Sequence, residues 1–354
     1  MTIPTEPIGS IPRPQELMDG VRRFTEGRMS KHQLEALYQN AVRDTIERFE
    51  GTNSPVITDG EQSKPSFATY PIHALHNIVP GGVTVAFADG HTRQLPRLTG
   101  GPFQFGTYAS YYLDEAKKYA KVPVKQAVIS ISMLSLLYPG EEIPGYSKKE
   151  FMRDLLNECV VDIRMCLQKG AHNVQIDFTE GRLALKLDPS GQLLKIFLDL
   201  NNQVLDRFSA DERKRIGVHT CPGGDQDSTH SADVDYAKFI PEFLQLSAGN
   251  FYFQLTSEKD RPGVLQIIRD SKKPDQMIFV GVTNPISSQV ETPEEVKAHV
   301  LEAARFIPLD RLGTTDDCGF SPFGDDTSTS RDIAFDKIRA RVAGTEMAAA
   351  ELGA

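Results

Sequence analysis

RIGVHTC, residues 215–221, is the stretch on which the fold turns. It is a short apolar, β-branched run that ends on His219 and Cys221, and helical patterns flank it. Buried parallel strands look like this, because helices cover both of their faces. Working outward, comparable runs occur at PVITDGE (55–61), VKQAVISI (124–131), NVQIDF (173–178), NFYFQLTS (250–257), QMIFVGV (276–282) and RLGTTDDC (311–318). The opening segment around Pro7–Ser10 is a candidate eighth strand.

Between these runs the helices carry their own signals. Ser147 and Glu150 make a capping box ahead of a helix that stops at Gly170. Thr292, Pro293 and Glu295 supply N-cap, N1 and N3 for a helix to about Phe306, and Ser30 caps KHQLEALYQNAVRDTIERFE. GGVTVAFADGHTRQLPRL (81–98) alternates, turns at Asp89–Gly90 and alternates again, which predicts a hairpin inserted between strands. The Ala-rich end, EMAAAELGA, reads as a last helix or a frayed tail. Strands alternating with helices fit either a (β/α)₈ barrel or an open doubly wound sheet. No glycine-rich dinucleotide loop follows any strand, which removes the commonest reason to prefer the open sheet. Periodicity alone does not choose.

Polar residues gather at the C-terminal ends of the predicted strands: Asp59, Glu61, Asp177, His219, Cys221, Gln254 and Cys318. In a barrel those ends form the face that carries the chemistry. His219 and Cys221 lie two apart on one strand, so both side chains point to the same side. That suits two ligands of one metal at roughly 2.0–2.3 Å, and Cys318 is placed to supply a third. Cys159 and Cys166, seven apart on one helix, read as core, since a buried Cys is usually a small hydrophobe. Among the other histidines His230, in the long loop after Cys221, is the one candidate acid–base group. Arg13 and Lys64 fall near the same face, where either an anionic group or solvent would meet them.

Composition bounds the partners. A net charge of −9 with no basic run argues against nucleic acid and acidic membranes, and leaves small molecules. The start has no secretory pattern, and no apolar run approaches the roughly 18 residues of a membrane span. Four cysteines in 354 residues do not make a disulfide framework, so reduced thiols in the cytoplasm are expected. A homo-oligomer stays open.

These residues also carry a resemblance. IGSIPRPQEL, VITDGEQ, VQIDF, VHTC, GVTNPISSQVETPEEV and RLGTTDDCGF resemble, in the same order from residue 8 to about 323, the catalytic domain of cobalamin-independent methionine synthase and its shorter single-barrel relatives. The resemblance implies a single (β/α)₈ TIM-barrel domain over 1–354 and a zinc ion (Zn2+) held by His219, Cys221 and Cys318. A Glu on the sixth strand is the family's fourth ligand. Here Gln254 stands at that position and becomes the candidate, with Glu258 four residues on as an alternative. By the same resemblance Ser10 holds a substrate carboxylate, and Glu61 and Asp177 receive the amino group of homocysteine. Arg13 joins them as a substrate-binding candidate, and Asp177 and His230 are the candidate catalytic groups. The family continues Glu-Pro after Asp177, whereas this chain has Phe178–Thr179–Glu180.

The implied chemistry is methyl transfer to a thiol, homocysteine or similar, from a methylfolate or another methyl donor. Full-length synthases carry a second, N-terminal barrel for which this chain has no room, which leaves the donor open between a methylfolate and another methyl donor. Two alternatives accompany this reading. One is a zinc-dependent thiol alkyltransferase or lyase acting on another electrophile such as an epoxide, and the other is a non-catalytic binding barrel.

Overall fold

The computed structural model describes residues 2–354. Six strands form one parallel sheet: Gln126–Ile129, Val174–Asp177, Ile216–Thr220, Asn250–Phe253, Met277–Gly281 and Leu312–Thr315. Each pairs with the one before and after it among the six, as parallel crossover connections dictate. Every strand residue except Met277 is buried.

Register gives the two faces opposite characters. Ile176, Val218, Phe251, Ile278 and Leu312 lie in one row across the sheet and belong to the main apolar cluster under the helices. The next row is Asp177, His219, Tyr252, Phe279 and Gly313, polar or aromatic except for the glycine at its edge. Successive side chains alternate between faces, so the chain spends its hydrophobic residues on one face and its chemistry on the other. Tyr252 stacks on Phe279 at 4.6 Å. Gly217 makes room for that ring, because a Cβ there would lie 2.5 Å from it.

Single parallel pairings flank the sheet, Thr5 with Thr314 at one edge and Ile57 with Val124 at the other. The expected strand at 55–61 is therefore reduced to one residue pair, and the one expected around Pro7–Ser10 does not form there, a single pairing standing just before it at Thr5. Gly60 and Glu61 adopt left-handed φ of 65° and 55°, which ends the extended run, while Pro4 and Pro7 lack an amide to donate. The two outer segments touch: Ile11 N–H donates to Gly60 O at 3.0 Å and Thr58 Oγ1 to Gly9 O at 2.8 Å.

The capping boxes at Ser30, Ser147 and Thr292 start the helices Lys31–Glu50, Lys148–Gln168 and Pro293–Ala303. The last stops short of Phe306 because Pro308 disfavours helix just before it. Cys159 and Cys166 are buried in the apolar cluster. The Ala-rich tail lies within the helix Arg331–Leu352. The inserted hairpin pairs Thr84–Ala86 with Thr92–Gln94, and a second antiparallel pair, Ile78–Val79 with Arg97–Leu98, forms its base. Among the described residues no helix is long and apolar enough to cross a membrane.

Candidate metal centre

His219 is the penultimate residue of its strand and Cys221 the first residue beyond it. Cys318 follows the strand Leu312–Thr315 after two aspartates that fix the turn. Asp316 accepts from Thr283 Oγ1 at 2.8 Å and pairs with the buried Arg341. Asp317 Oδ1 accepts the amides of Leu255 and Thr256 at 2.8 Å, and its Oδ2 accepts Ser257 N at 2.9 Å. The strand end bearing Cys318 is thereby tied to the loop after Gln254.

The three ligand atoms of His219, Cys221 and Cys318 all lie within 4.8 Å of one another, and all three residues are buried. No other cluster of three or more His, Cys, Asp or Glu of this kind occurs among the described residues. The sulfurs are 2.9 Å apart, in contact but far from a disulfide. Their contact holds the Cys318 thiol well below its usual range, while burial pushes Cys221 well above. Both ring nitrogens of His219 are buried without a hydrogen-bond partner. A buried imidazole is costly in that state, and an ion shared with two sulfurs relieves it. One imidazole and two cysteines are a donor set that suits zinc.

Gln254 directs its Oε1 to Arg182 Nη1 at 3.1 Å. The same guanidinium takes Glu258 Oε1 at 2.8 Å and donates to the carbonyls of Ala232 and Val234 at 3.2 and 2.6 Å. Glu258 is thus paired with Arg182 and lies outside the His–Cys–Cys group. The Gln254 oxygen is the atom that would ligate, and it is the atom that faces the cation. An amide cannot compete with a carboxylate for a metal while its acceptor is so engaged.

A cleft of about 1290 Å³ opens over the cluster, and Ser10, Arg13, Glu61, Asp177, His219, His230 and Cys318 all line it. Gln254 lies instead on a smaller cleft that shares Cys318. Ser10 Oγ accepts Ser321 N at 3.1 Å and retains its own proton to donate. Arg13 gives its terminal nitrogens to backbone carbonyls, among them Glu61 O at 2.7 Å and Ser321 O, so it clamps two loops. Glu61 is paired with the buried Lys64 at 2.9 Å. Burial, with Glu61 nearby, raises Asp177 to about 7 against the pull of His219. Asp177 Oδ1 accepts from Gln175 at 2.7 Å, which leaves Oδ2 for the cleft.

His230 packs against Gly223, where a Cβ would lie 1.8 Å from its Nε2, so glycine is required there. Burial, with Lys186 and Arg182 adding to it, lowers its pKa to about 3. A ring neutral at pH 7 has no imidazolium proton to give, while its unprotonated nitrogen can still accept one.

Three residues in this arrangement carry no sequence signal of their own: Arg182, Asp317 and Arg93 of the hairpin. Asp317 is adjacent to Cys318, and that adjacency is the only available cue. The partners of Arg182 lie 50 to 76 positions away.

Comparison with known proteins adds the lineage. No protein-family model matches the chain. A methionine synthase of Saccharolobus solfataricus is 22% identical over 360 residues, covering 99% of this chain and 96% of that protein. The chain is a distant relative of the methionine synthases. The uncharacterized protein YxjH of Bacillus subtilis is another relative, 23% identical over 355 residues and 94% of this chain, 91% of its own length. The structure of a B12-independent methionine synthase from Shewanella sp. W3-18-1 in complex with selenomethionine superposes with a TM-score of 0.78 at 17% identity, covering 99% of both chains. The chain and that methionine synthase share one fold.

Proposed function

We propose that this chain is a zinc-dependent, cytoplasmic transferase that activates a thiol, homocysteine or a close analogue, for methyl transfer from a methylfolate or another methyl donor. The observation that carries the reading is the buried His219–Cys221–Cys318 cluster on the floor of a cleft large enough for two small molecules. The methionine synthase relatives, matched over nearly the whole chain, support the reaction class. We read the fold as one closed (β/α)₈ barrel and one domain. The six-stranded sheet, its flanking pairings at Thr5 and Ile57, and the hydrogen bonds between those outer segments support closure.

Zinc bound by His219, Cys221 and Cys318 would lower the pKa of a substrate thiol, so that the nucleophilic thiolate exists at neutral pH. The chain's own residues do the rest. Asp177, through Oδ2, is the carboxylate available to an ammonium group, since Lys64 already neutralises Glu61. An arriving ammonium would favour the carboxylate form of Asp177, whose pKa burial raises, and any proton released has the cleft as its exit. Ser10 offers its hydroxyl to a substrate carboxylate, with Arg13 holding the loops that frame it. His230, neutral, serves as a wall and hydrogen-bonding group. Gln254 serves better as a partner of Arg182 than as the fourth ligand.

One observation favours a second reading. Where the resemblance implies a carboxylate ligand, this chain has Gln254 hydrogen-bonded to the buried Arg182, which makes the surroundings of the cluster less negative. A thiol alkyltransferase acting on a different electrophile fits that change.

Zinc content and zinc-edge X-ray absorption, with and without homocysteine, test the proposal. The expected result is one equivalent of zinc that gains one sulfur neighbour on adding homocysteine. If the protein takes up no zinc and His219→Ala alters neither activity nor stability, the metal reading fails. If zinc is present but indifferent to homocysteine, methionine synthesis is dropped and the second reading stands.

A further inference from the structure

The hairpin Thr84–Gln94 is an insertion that the sheet does not need, yet it carries a cation, Arg93, that touches both loops leading from the sulfur ligands. Arg93 donates from Nε to Asp225 Oδ2 at 2.5 Å and from Nη2 to Asp225 Oδ1 at 3.1 Å. The other edge of the fork reaches Asp325, Nη1 to Oδ2 at 2.9 Å and Nη2 to Oδ1 at 3.0 Å. Asp225 comes four residues after Cys221, and Asp325 seven after Cys318. The Asp225 side chain has no exposed surface, so its charge depends on a paired cation. Arg93 also lies over the Phe323 ring at 4.3 Å.

The rest of the hairpin follows it down. Ala88 N–H donates to Thr229 O at 3.0 Å, His91 Nε2 meets Asp225 Oδ2 at 3.1 Å, and Phe87 sets its ring edge against His230 at 5.6 Å. The Cys221 loop, the Cys318 loop and the hairpin therefore converge on one guanidinium.

We propose that Arg93 is a positioning residue for the metal ligands, coupling zinc binding at the cluster to docking of the hairpin over the cleft. This rests on reading the cluster as a zinc site. The coupling is reciprocal: if the docked hairpin brings the two cysteine loops into register, a metal that holds the cysteines stabilises the docked hairpin by the same factor. Outer partners that orient ligands in this way typically change metal affinity by about 10-fold or more when removed. A residue with only a structural role in the hairpin would leave zinc affinity where it is.

The experiment measures zinc affinity by competition with a chromophoric chelator, and amide hydrogen exchange over residues 84–94 with and without zinc. It compares the unaltered chain with Arg93→Gln and Asp325→Asn. Asp325 is 68% exposed, so its substitution leaves folding intact if Arg93→Gln does not. In the unaltered chain zinc should slow exchange across the hairpin. Zinc affinity should fall about 10-fold in Arg93→Gln and about 3-fold in Asp325→Asn, with the zinc-dependent protection lost or reduced in step. Zinc binding of unaltered strength in both variants, or a hairpin whose exchange ignores zinc, overturns the coupling while leaving the metal reading intact. An unaltered chain that binds no zinc removes both.

Discussion

At the scale of single residues, the site depends on buried charges whose partners are remote in sequence. Arg182 is fully buried, lies over the Tyr236 ring at 4.1 Å, and holds Gln254 and Glu258 at once. Replacing it with Met should cost about 3 kcal/mol in urea unfolding, because Glu258 and two carbonyls lose their donor together. Glu258→Gln keeps a hydrogen bond and should cost about 1 kcal/mol. Glu180 makes a pH prediction. Burial raises its pKa to about 7 although the hydroxyls of Ser130 and Ser132 donate to it. Its folded value exceeds the 4.5 of the free group, so the folded chain binds the extra proton and stability falls as pH rises through the 4.5–7 window. Glu180→Gln should remove that one-proton slope, flattening stability measured by urea titration between pH 5 and 8; an unchanged slope would show that Glu180 stays charged. The spacing of His219 and Cys221 is legible in the sequence because residues two apart along an extended run share a side. Arg182 is not, since nothing near it in the chain announces a cation that must be buried.

At the scale of elements, local signals are dependable where they describe local geometry. Each capping box named from the sequence starts its helix, because Ser, Thr, Glu and Gln satisfy amides within three residues of themselves. Ser147→Ala should lower stability by about 1 kcal/mol with little change in the denaturant slope, a loss seen as an earlier unfolding midpoint. The two outer strands were less legible: their apolar runs look like the other six, but Gly60, Glu61 and nearby prolines leave a single pairing at each edge of the sheet. The inserted hairpin was readable from its alternation and its Asp–Gly turn. Its seat was not. Asp225 and Asp325 lie 132 and 232 positions from Arg93, and no pattern within the hairpin points at them.

At the scale of the whole molecule, the proposed zinc ties together strands that meet only in the folded chain. An ion that binds the folded state alone adds stability by mass action, about 2.7 kcal/mol at a hundredfold excess over Kd. Zinc should therefore raise the thermal midpoint of the metal-free chain by several degrees, a chelator should reverse the shift, and Cys318→Ser should abolish it. A midpoint indifferent to zinc would count against the site as a whole. By itself the sequence determined the order of the six sheet strands, the starts of the helices capped by Ser30, Ser147 and Thr292, the hairpin and the His219–Cys221 pair, because each follows from periodicity or contacts a few residues long. Only the tertiary structure decided that Gln254 turns to Arg182, that Lys64 claims Glu61, that His230 is held neutral, and that Arg93 joins the two cysteine loops. Those outcomes depend on which distant charges are buried side by side, and packing, not local spacing, makes that choice.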